Sequence, residues 1–337
     1  MKVTAAQIAL QAGVSATTVD RVLNDRHGVH PRTREIVLQA AMQLGYFAPI
    51  QEFGLQTRQI DFVLPAGTNS FIRSLRRCLI EESKLCEDCK FTFHQIDGFD
   101  PARLSQKLFS LRGQTNAVGV VALDHPEVCE AINILTLSGI HVCTLISDIH
   151  SGTRAAYVGI ENRAAGRLAG QIIGKFLPRG TSHRIALFAG SLLYRGHEER
   201  EMGFRSILKE EYPGMSITSI MEVNDDRDQA YSKAMKLLSS EPVSAIYSIG
   251  SGNQGIARAL YELGLSNEVV FVAHDLTDAT RTMLVDRTLD AVIDQDTGAQ
   301  AREAVKRLVS LTNGLREDQA PPPLQLVFRE NLPFHEA

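Results

Sequence analysis

From residue 60 onward, short apolar runs alternate with longer amphipathic stretches, and this alternation limits the architecture more than any other feature of the chain. The runs are 60–64, 91–96, 117–123, 141–146, 157–160, 184–188, 217–223, 245–249, 269–273, 291–293 and 324–328. Helical patterns such as 163–177, 229–239 and 299–311 lie between them. Short runs that are apolar throughout read as strands covered on both faces, and strands separated by helices pair in parallel. So many strands predict two sheets rather than one, with a break near Val158–Asn162 that leaves halves of comparable size.

In open parallel sheets ligands sit beyond the carboxyl ends of the strands, so polar residues there are the candidate site. Pro65-Ala66-Gly67-Thr68-Asn69-Ser70-Phe71 follows the first run and Ser147-Asp148 the fourth. Ala189-Gly190 leads after a loop to Arg200-Glu201-Met202-Gly203-Phe204. Gly250-Ser251-Gly252-Asn253-Gln254-Gly255, His274-Asp275 and Asp294-Gln295-Asp296 close three later strands. Each of these alone is an ordinary loop residue or helix cap. Six in phase with strand ends assemble amide, carboxylate and guanidinium groups beside an aromatic, the chemistry that takes hydroxyls and covers a C–H face.

Residues 1–59 do not share the alternation. Thr4-Ala5-Ala6-Gln7 is a capping box, and Ile8, Ala9 and Ala12 keep one apolar face behind it. Gly13 makes a tight turn, Val14 plugs the gap, and Ser15 caps a second helix with Val19, Val22 and Leu23 inward. Ala16, Thr17, Asp20 and Arg21 are left outward. Pro31 suits the first turn of a third helix, for which Ile36, Val37, Ala40, Ala41 and Leu44 form the predicted core face. Two short helices joined at a glycine turn and buttressed by a third make a helix-turn-helix.

Charge placement fits that head. Residues 1–48 hold five Lys and Arg against three acidic residues, a net of +2 that leaves −6 for the rest of a chain whose total is −4. A weakly basic head on an acidic body suits a DNA contact confined to one end. Gln7 and Gln11 interrupt the segment Ala5 to Ala12, so no apolar h-region forms there, and no stretch approaches the roughly 18 apolar residues of a membrane span. With five cysteines, an odd number, the expectation is a reduced, cytoplasmic protein without a membrane contact. Cys86 and Cys89 form an isolated CxxC with no second pair at zinc spacing, so no metal and no cofactor is expected.

The residues Val3-Thr4, Ile8-Ala9, Ala12-Gly13-Val14-Ser15, Thr18-Val19 and Arg21-Val22-Leu23-Asn24 are followed by Thr33-Arg34, Ala40-Ala41 and Leu44-Gly45-Tyr46. Together they closely resemble the head of the lac repressor / galactose repressor (LacI/GalR) family of bacterial transcription regulators. The resemblance implies a regulator, acting as a repressor, that binds double-stranded operator DNA as a homodimer and is not an enzyme. It implies that Ala16, Thr17 and Arg21 face base edges while Thr4, Ser15, Asn24 and Arg34 hold the DNA backbone. Asp20 departs from the family's small hydroxyl residue, and either pairs with a neighbouring Arg or selects a cytosine amino group. Residues 49–59 stand where the family has a hinge helix, with Leu55 at the position that wedges into the minor groove. Gly54 and Glu52 suit that helix poorly, and a plain linker is the other reading.

The body is similar to the type I periplasmic sugar-binding fold that the same family uses as effector domain, so the fold expected is an all-α head on a two-lobed α/β body with parallel sheets. The family's crossing pattern implies lobes of about 60–159 with 291–321, and 160–290 with 322–337. Carried over, Asn69, Phe71, Asp148, Arg200, Asp275 and Gln295 match ligand-contacting positions, and Asn253 matches less cleanly. With no basic group beyond Arg200 among these, the expected effector is a neutral or singly charged sugar, polyol or sugar acid.

Two rival readings use the same residues. Gly250, Gly252 and Gly255 spell G-x-G-x-x-G with Asp275 at the next strand end, which on paper is a dinucleotide fingerprint. It comes late in the chain, and an oxidoreductase has no use for the head. His197-Glu198-Glu199-Arg200-Glu201 begins like a zinc-protease helix but ends in Glu201 where a second His is needed. An exported sugar carrier, the third class, would carry a signal peptide and lack the head.

Overall fold

The computed structural model describes residues 3–23, 26, 28–46, 57–97, 99–315 and 321–333. Its first helix, α1 (Ala5–Ala12), opens on the reciprocal capping box: the Thr4 hydroxyl accepts the Gln7 N–H, and Gln7 Oε1 accepts the Thr4 N–H at 2.8 Å. Gly13 ends it at φ +65°, a left-handed turn in which an L side chain is strained. Ser15 Oγ accepts the Thr18 N–H at 3.1 Å and starts α2 (Ala16–Leu23). The third helix, α3 (Pro31–Gln43), begins at a proline whose missing N–H costs nothing there. Val37, Ala40 and Ala41 close over Ile8, Val19 and Val22 in one apolar cluster.

One expected core residue of that helix is exposed. Ile36 is 42% accessible, whereas Leu38, not expected inside, is 7% accessible. The reason is a second buried face: α3 packs on α1 and α2 and also turns toward the body, where Ile134 and Phe109 join the head's cluster. Arg34 pairs with Glu130 at 3.5 Å across that contact, and the Arg112 guanidinium lies over the Tyr46 ring at 5.2 Å.

The body has two sheets. The first is parallel throughout, in the order β2-β1-β3-β4-β5, from β1 (Arg58–Pro65), β2 (Cys89–Ile96), β3 (Ala117–Val120), β4 (His141–Leu145) and β5 (Ala156–Val158). Helices α4 (Ser70–Ser83), α5 (Pro101–Ser110) and α6 (Pro126–Leu137) connect them. After the crossing near residue 160 comes α7 (Asn162–Phe176) and the second sheet, in the order β11-β10-β9-β8-β6-β7. Its strands are β6 (His183–Ala189), β7 (Met215–Glu222), β8 (Ala245–Ser248), β9 (Val270–His274), β10 (Ala291–Asp294) and the antiparallel edge β11 (Gln325–Val327). Between them run α8 (Arg195–Glu211), α9 (Arg227–Ser240), α10 (Asn253–Glu262) and α11 (Asp278–Val285).

The expected return to the first lobe at residue 291 falls too early. Strand β10 pairs with β9, with Val292 opposite Ala273, so it belongs to the second sheet. The chain crosses at Gln295-Asp296, where Asp296 adopts φ +43°, and only then does α12 (Thr297–Thr312) pack on α4. Ala301, Ala304, Val305 and Leu308 of α12 complete the first lobe's core. A buried strand must satisfy its backbone groups in a ladder, which keeps β10 with β9. Among the described residues, no helix is long and apolar enough to cross a membrane.

Candidate ligand cleft and nucleic-acid interface

The carboxyl ends of both sheets open onto one cleft of about 650 Å³ between the lobes, a size suited to a small metabolite. Asn69 is its pivot. As N-cap of α4, its Oδ1 accepts the N–H groups of Phe71 and Ile72 at 3.0 and 3.2 Å. Its Nδ2 is thereby turned outward and donates to Asp225 Oδ2 of the other lobe at 2.8 Å. The second oxygen of Asp225 accepts the Ser251 N–H at 2.8 Å. Asn224 and Asp225 hold φ of +50° and +54°, sparsely populated for such residues and found where surrounding structure insists on them.

At the end of β9, Asp275 turns into the cleft with φ +69°. Gln295 Nε2 donates to its Oδ1 at 2.7 Å, and Gln300 Nε2 donates to Gln295 Oε1 at 3.1 Å, so each amide is oriented by the next. Burial raises the Asp275 carboxyl to about 7, against the pull of the Arg200 charge and the Gln295 hydrogen bond. Arg200 itself is 3% accessible. Its Nε donates to Asn162 Oδ1 at 2.8 Å and its Nη1 to the Ile249 carbonyl at 2.9 Å. Phe71 and Tyr194 are nearly buried in the cleft wall, and Tyr194 meets Phe99 edge to face at 5.5 Å.

Five of the seven carried-over positions thus come together: Asn69, Phe71, Arg200, Asp275 and Gln295. Asp148 does not. Ile146 takes φ +64° at the end of β4, which leaves Ser147 facing the cleft and sends Asp148 away. Its carboxylate accepts the Thr144 hydroxyl at 2.7 Å, pairs with Arg154, and lines a separate pocket beside Tyr157 and Glu303. Asn253 starts α10 and lines an adjoining pocket that shares Asn69, Asp225 and Asp275 with the main cleft. Its Oδ1 is buried without a partner among the described residues.

Sequence reasoning missed Asp225, His197, Tyr194, Arg73 and Arg76, all of which line the cleft. Asp225 carries the same signal that found the others, a polar residue just past a strand, here β7. Arg73 and Arg76 could have been found from the i, i+3 spacing that puts both on the face of α4 begun by Asn69. His197 is held by the Ser191 carbonyl at 2.8 Å, and burial pushes its imidazole down to about 4.

The glycine motif is spent on packing. A Cβ on Gly250 would stand 2.6 Å from the Gly190 nitrogen, and one on Gly255 would stand 1.9 Å from the Arg227 carbonyl of α9. Glu199 and Glu201 pair with Arg195 and Arg205 at 2.8 and 2.7 Å. Burial and the neighbouring Cys86 raise the Cys89 thiol to about 11. Among the described residues, no three His, Cys, Asp or Glu side chains cluster as a metal site.

On the head, Ala16, Thr17 and Arg21 are exposed together on α2. Thr4 and Ser15 are exposed but already engaged as caps. Asp20 pairs with Arg26 at 3.2 Å, the first of the two options for that carboxylate. Arg34 faces Glu130 of the body rather than an open surface. Asn24 and Leu55 lie outside the described residues.

Residues 4–48 match the lacI family of bacterial regulatory proteins, and residues 60–316 match a periplasmic binding protein domain. The ribose operon repressor of Bacillus subtilis (strain 168) is 27% identical over 244 residues, 70% of this chain and 69% of the repressor. The glucose-galactose binding protein GanP from Geobacillus stearothermophilus shares the fold with a TM-score of 0.74 at 21% identity, over 82% of this chain and 99% of that one. A solute binding protein from Bacillus halodurans C-125, solved with bound myo-inositol, gives 0.73 at 22% identity over 82% and 97%.

Proposed function

We propose, for a chain that belongs to the lacI family of bacterial regulatory proteins and joins that family's DNA-binding head to a periplasmic binding protein domain, that a small polyhydroxy compound bound in the cleft controls operator affinity. One observation carries the reading: the Asn69–Asp225 bond at 2.8 Å spans the lobes inside a cavity lined by Asp275, Gln295 and Arg200. Vicinal hydroxyls can replace Asn69 on Asp225 and pair with Asp275, so ligand and lobe closure are coupled through the same oxygens. A ribose operon repressor among the relatives and a bound myo-inositol in one neighbour favour a sugar, polyol or sugar acid.

Operator contact is assigned to the exposed start of α2. Arg21 is its best reader, because a guanidinium pairs bidentately with a guanine edge. A single head buries too little surface for a specific site, so two chains pair through the body on a pseudo-palindrome. The same reading makes the protein a cytoplasmic regulator rather than an enzyme, since the glycine loop is filled by α9 and Asp225.

Thermal denaturation of the full chain with ribose, myo-inositol, sugar acids and NAD(H), paired with anisotropy on operator DNA selected from a random pool, tests this. Stabilisation by one polyhydroxy compound, abolished by Asn69→Ala or Asp275→Asn and accompanied by a changed operator affinity, is the expected result. Stabilisation by NAD(H) that survives both substitutions would overturn it.

A further inference from the structure

The first lobe contributes more positive charge to the cleft than a neutral sugar can use. Arg73 and Arg76 stand one turn apart on α4 and both line the cavity. Arg76 is half-buried and its Nε is buried with no hydrogen-bond partner. Among the described residues, no carboxylate lies within 4 Å of either guanidinium. Several other helical arginines of the body are paired instead: Arg167, Arg195, Arg205, Arg258 and Arg307 each meet a glutamate.

The acidic groups facing the same cavity are already engaged. Asp225 takes Asn69 and the Ser251 N–H, and Asp226 caps α9 by accepting the Asp228 and Gln229 N–H groups. Asp275 takes Gln295 and sits closer to its neutral form than a surface carboxylate does. Arg200 is held by Asn162 and the Ile249 carbonyl. None of these carboxylates pairs with Arg73 or Arg76, so the cations left for a ligand stand on α4. Closing the lobes over a neutral ligand would strip water from the Arg76 guanidinium with nothing to replace it, and a buried unpaired charge is costly. A planar carboxylate or a phosphoryl group offers the paired oxygens that guanidinium forks accept bidentately.

We propose that the ligand of this cleft is an anionic polyhydroxy compound, whose carboxylate or phosphate is bound by Arg76 with Arg73 while its hydroxyls meet Asp225, Asp275, Asn69 and Gln295. The proposal rests on the polyhydroxy reading above and narrows it. It also revises the expectation that Arg200 is the cleft's only cation, because Arg73 and Arg76 reach it from a helix face rather than from a strand end.

Isothermal titration calorimetry on the full chain with matched probes separates the cases: ribose, ribonate and ribose 5-phosphate, then myo-inositol and its monophosphate. The acid or the phosphate of a set should bind at least about tenfold tighter than its neutral parent, the scale of one charge-assisted contact. Whichever anion leads identifies the group that the site takes. Arg76→Gln should erase that preference while leaving the neutral parent within about threefold, and Arg76→Lys should restore part of it, since charge without the fork is weaker. Arg73→Gln, at an exposed helical position, gives a second variant if Arg76→Gln unfolds. A neutral parent that binds as well as its anions, or an anion preference unchanged in both Gln variants, overturns the proposal. In that case binding lost on Asp275→Asn keeps the polyhydroxy reading alive. Absence of binding by every probe overturns both.

Discussion

At the scale of single residues, the cleft is decided by which side chains are held by neighbours and which are left to a ligand. Asp275 is held in part, and its carboxyl is raised to about 7 by burial. The native protein therefore keeps a proton that the unfolded chain has already released, so the stability from this group is full below about 4 and lost as pH climbs through 7. His197 and His274 are pushed down by burial and act in the opposite sense, up to and somewhat beyond their unperturbed value near 6.5. Between pH 6.5 and 8 the two contributions therefore offset each other in the native chain, and Asp275→Asn, which removes the falling one, should let the melting temperature rise with pH; calorimetry across the window checks it. Hydroxyl donors favour the ionised carboxylate, so ligand affinity should rise over the same interval in the native chain and not in the variant. Asn69 and Asp148 give a sharper contrast. Asn69→Ala removes an N-cap worth about 1 kcal/mol and the bond across the lobes, and should cost ligand affinity at least about tenfold, the loss of a buried partner. Asp148→Ala should lower the melting temperature by leaving Arg154 uncompensated, yet leave calorimetric ligand affinity unchanged. An affinity loss at Asp148 would return it to the site.

At the scale of elements, α3 shows how one helix serves two packings. Its inner face closes the head, and its second face brings Leu38 toward Ile134 and Arg34 to Glu130. Both members of that ion pair are about one-fifth exposed, so the contact competes with phosphate for Arg34 at modest cost. Glu130→Gln should then strengthen non-specific DNA binding a few-fold at low salt, with the gain shrinking as salt screens the phosphates. Titration of random duplex at two ionic strengths reads this directly, and unchanged affinity at both would detach Arg34 from the DNA contact. Strand β10 makes the complementary point. Its apolar run was legible as a strand, but its sheet was not, because pairing with β9 is a long-range choice that no local pattern records.

For the whole molecule, the separation of head from cleft makes binding and sensing independently mutable. Arg21→Ala should weaken operator binding by about 1–3 kcal/mol and relax selection at one base pair per half-site, as loss of a bidentate base contact does. Effector affinity should be untouched. Light scattering of the same samples should report a dimer at micromolar concentration; a monomer both free and on DNA would contradict pairing on a palindrome. Saturating effector should move operator affinity by about 1–3 kcal/mol, the usual range of coupling between two sites in one protein. Equal affinity with and without it would leave the cleft as a binding site with no regulatory output.

By itself the sequence determined the helix-turn-helix, the eleven strands among the described residues, their division into two sheets and five residues of the cleft. Each rests on a signal carried within a few residues: a capping box at Thr4, a left-handed turn at Gly13, apolar runs, and polar groups just past strand ends. Only the tertiary structure decided which of those groups face one another. A left-handed backbone at Ile146 turned Asp148 out, and strained φ values at Asn224 and Asp225 brought a different carboxylate to Asn69. Likewise α12 left its sheet after β10 rather than before it, and α4 laid Arg73 and Arg76 along a cavity whose opposite wall is more than a hundred residues distant in sequence. Local propensity is written along the chain, whereas orientation into a shared cavity depends on how two sheets and their helices close around it.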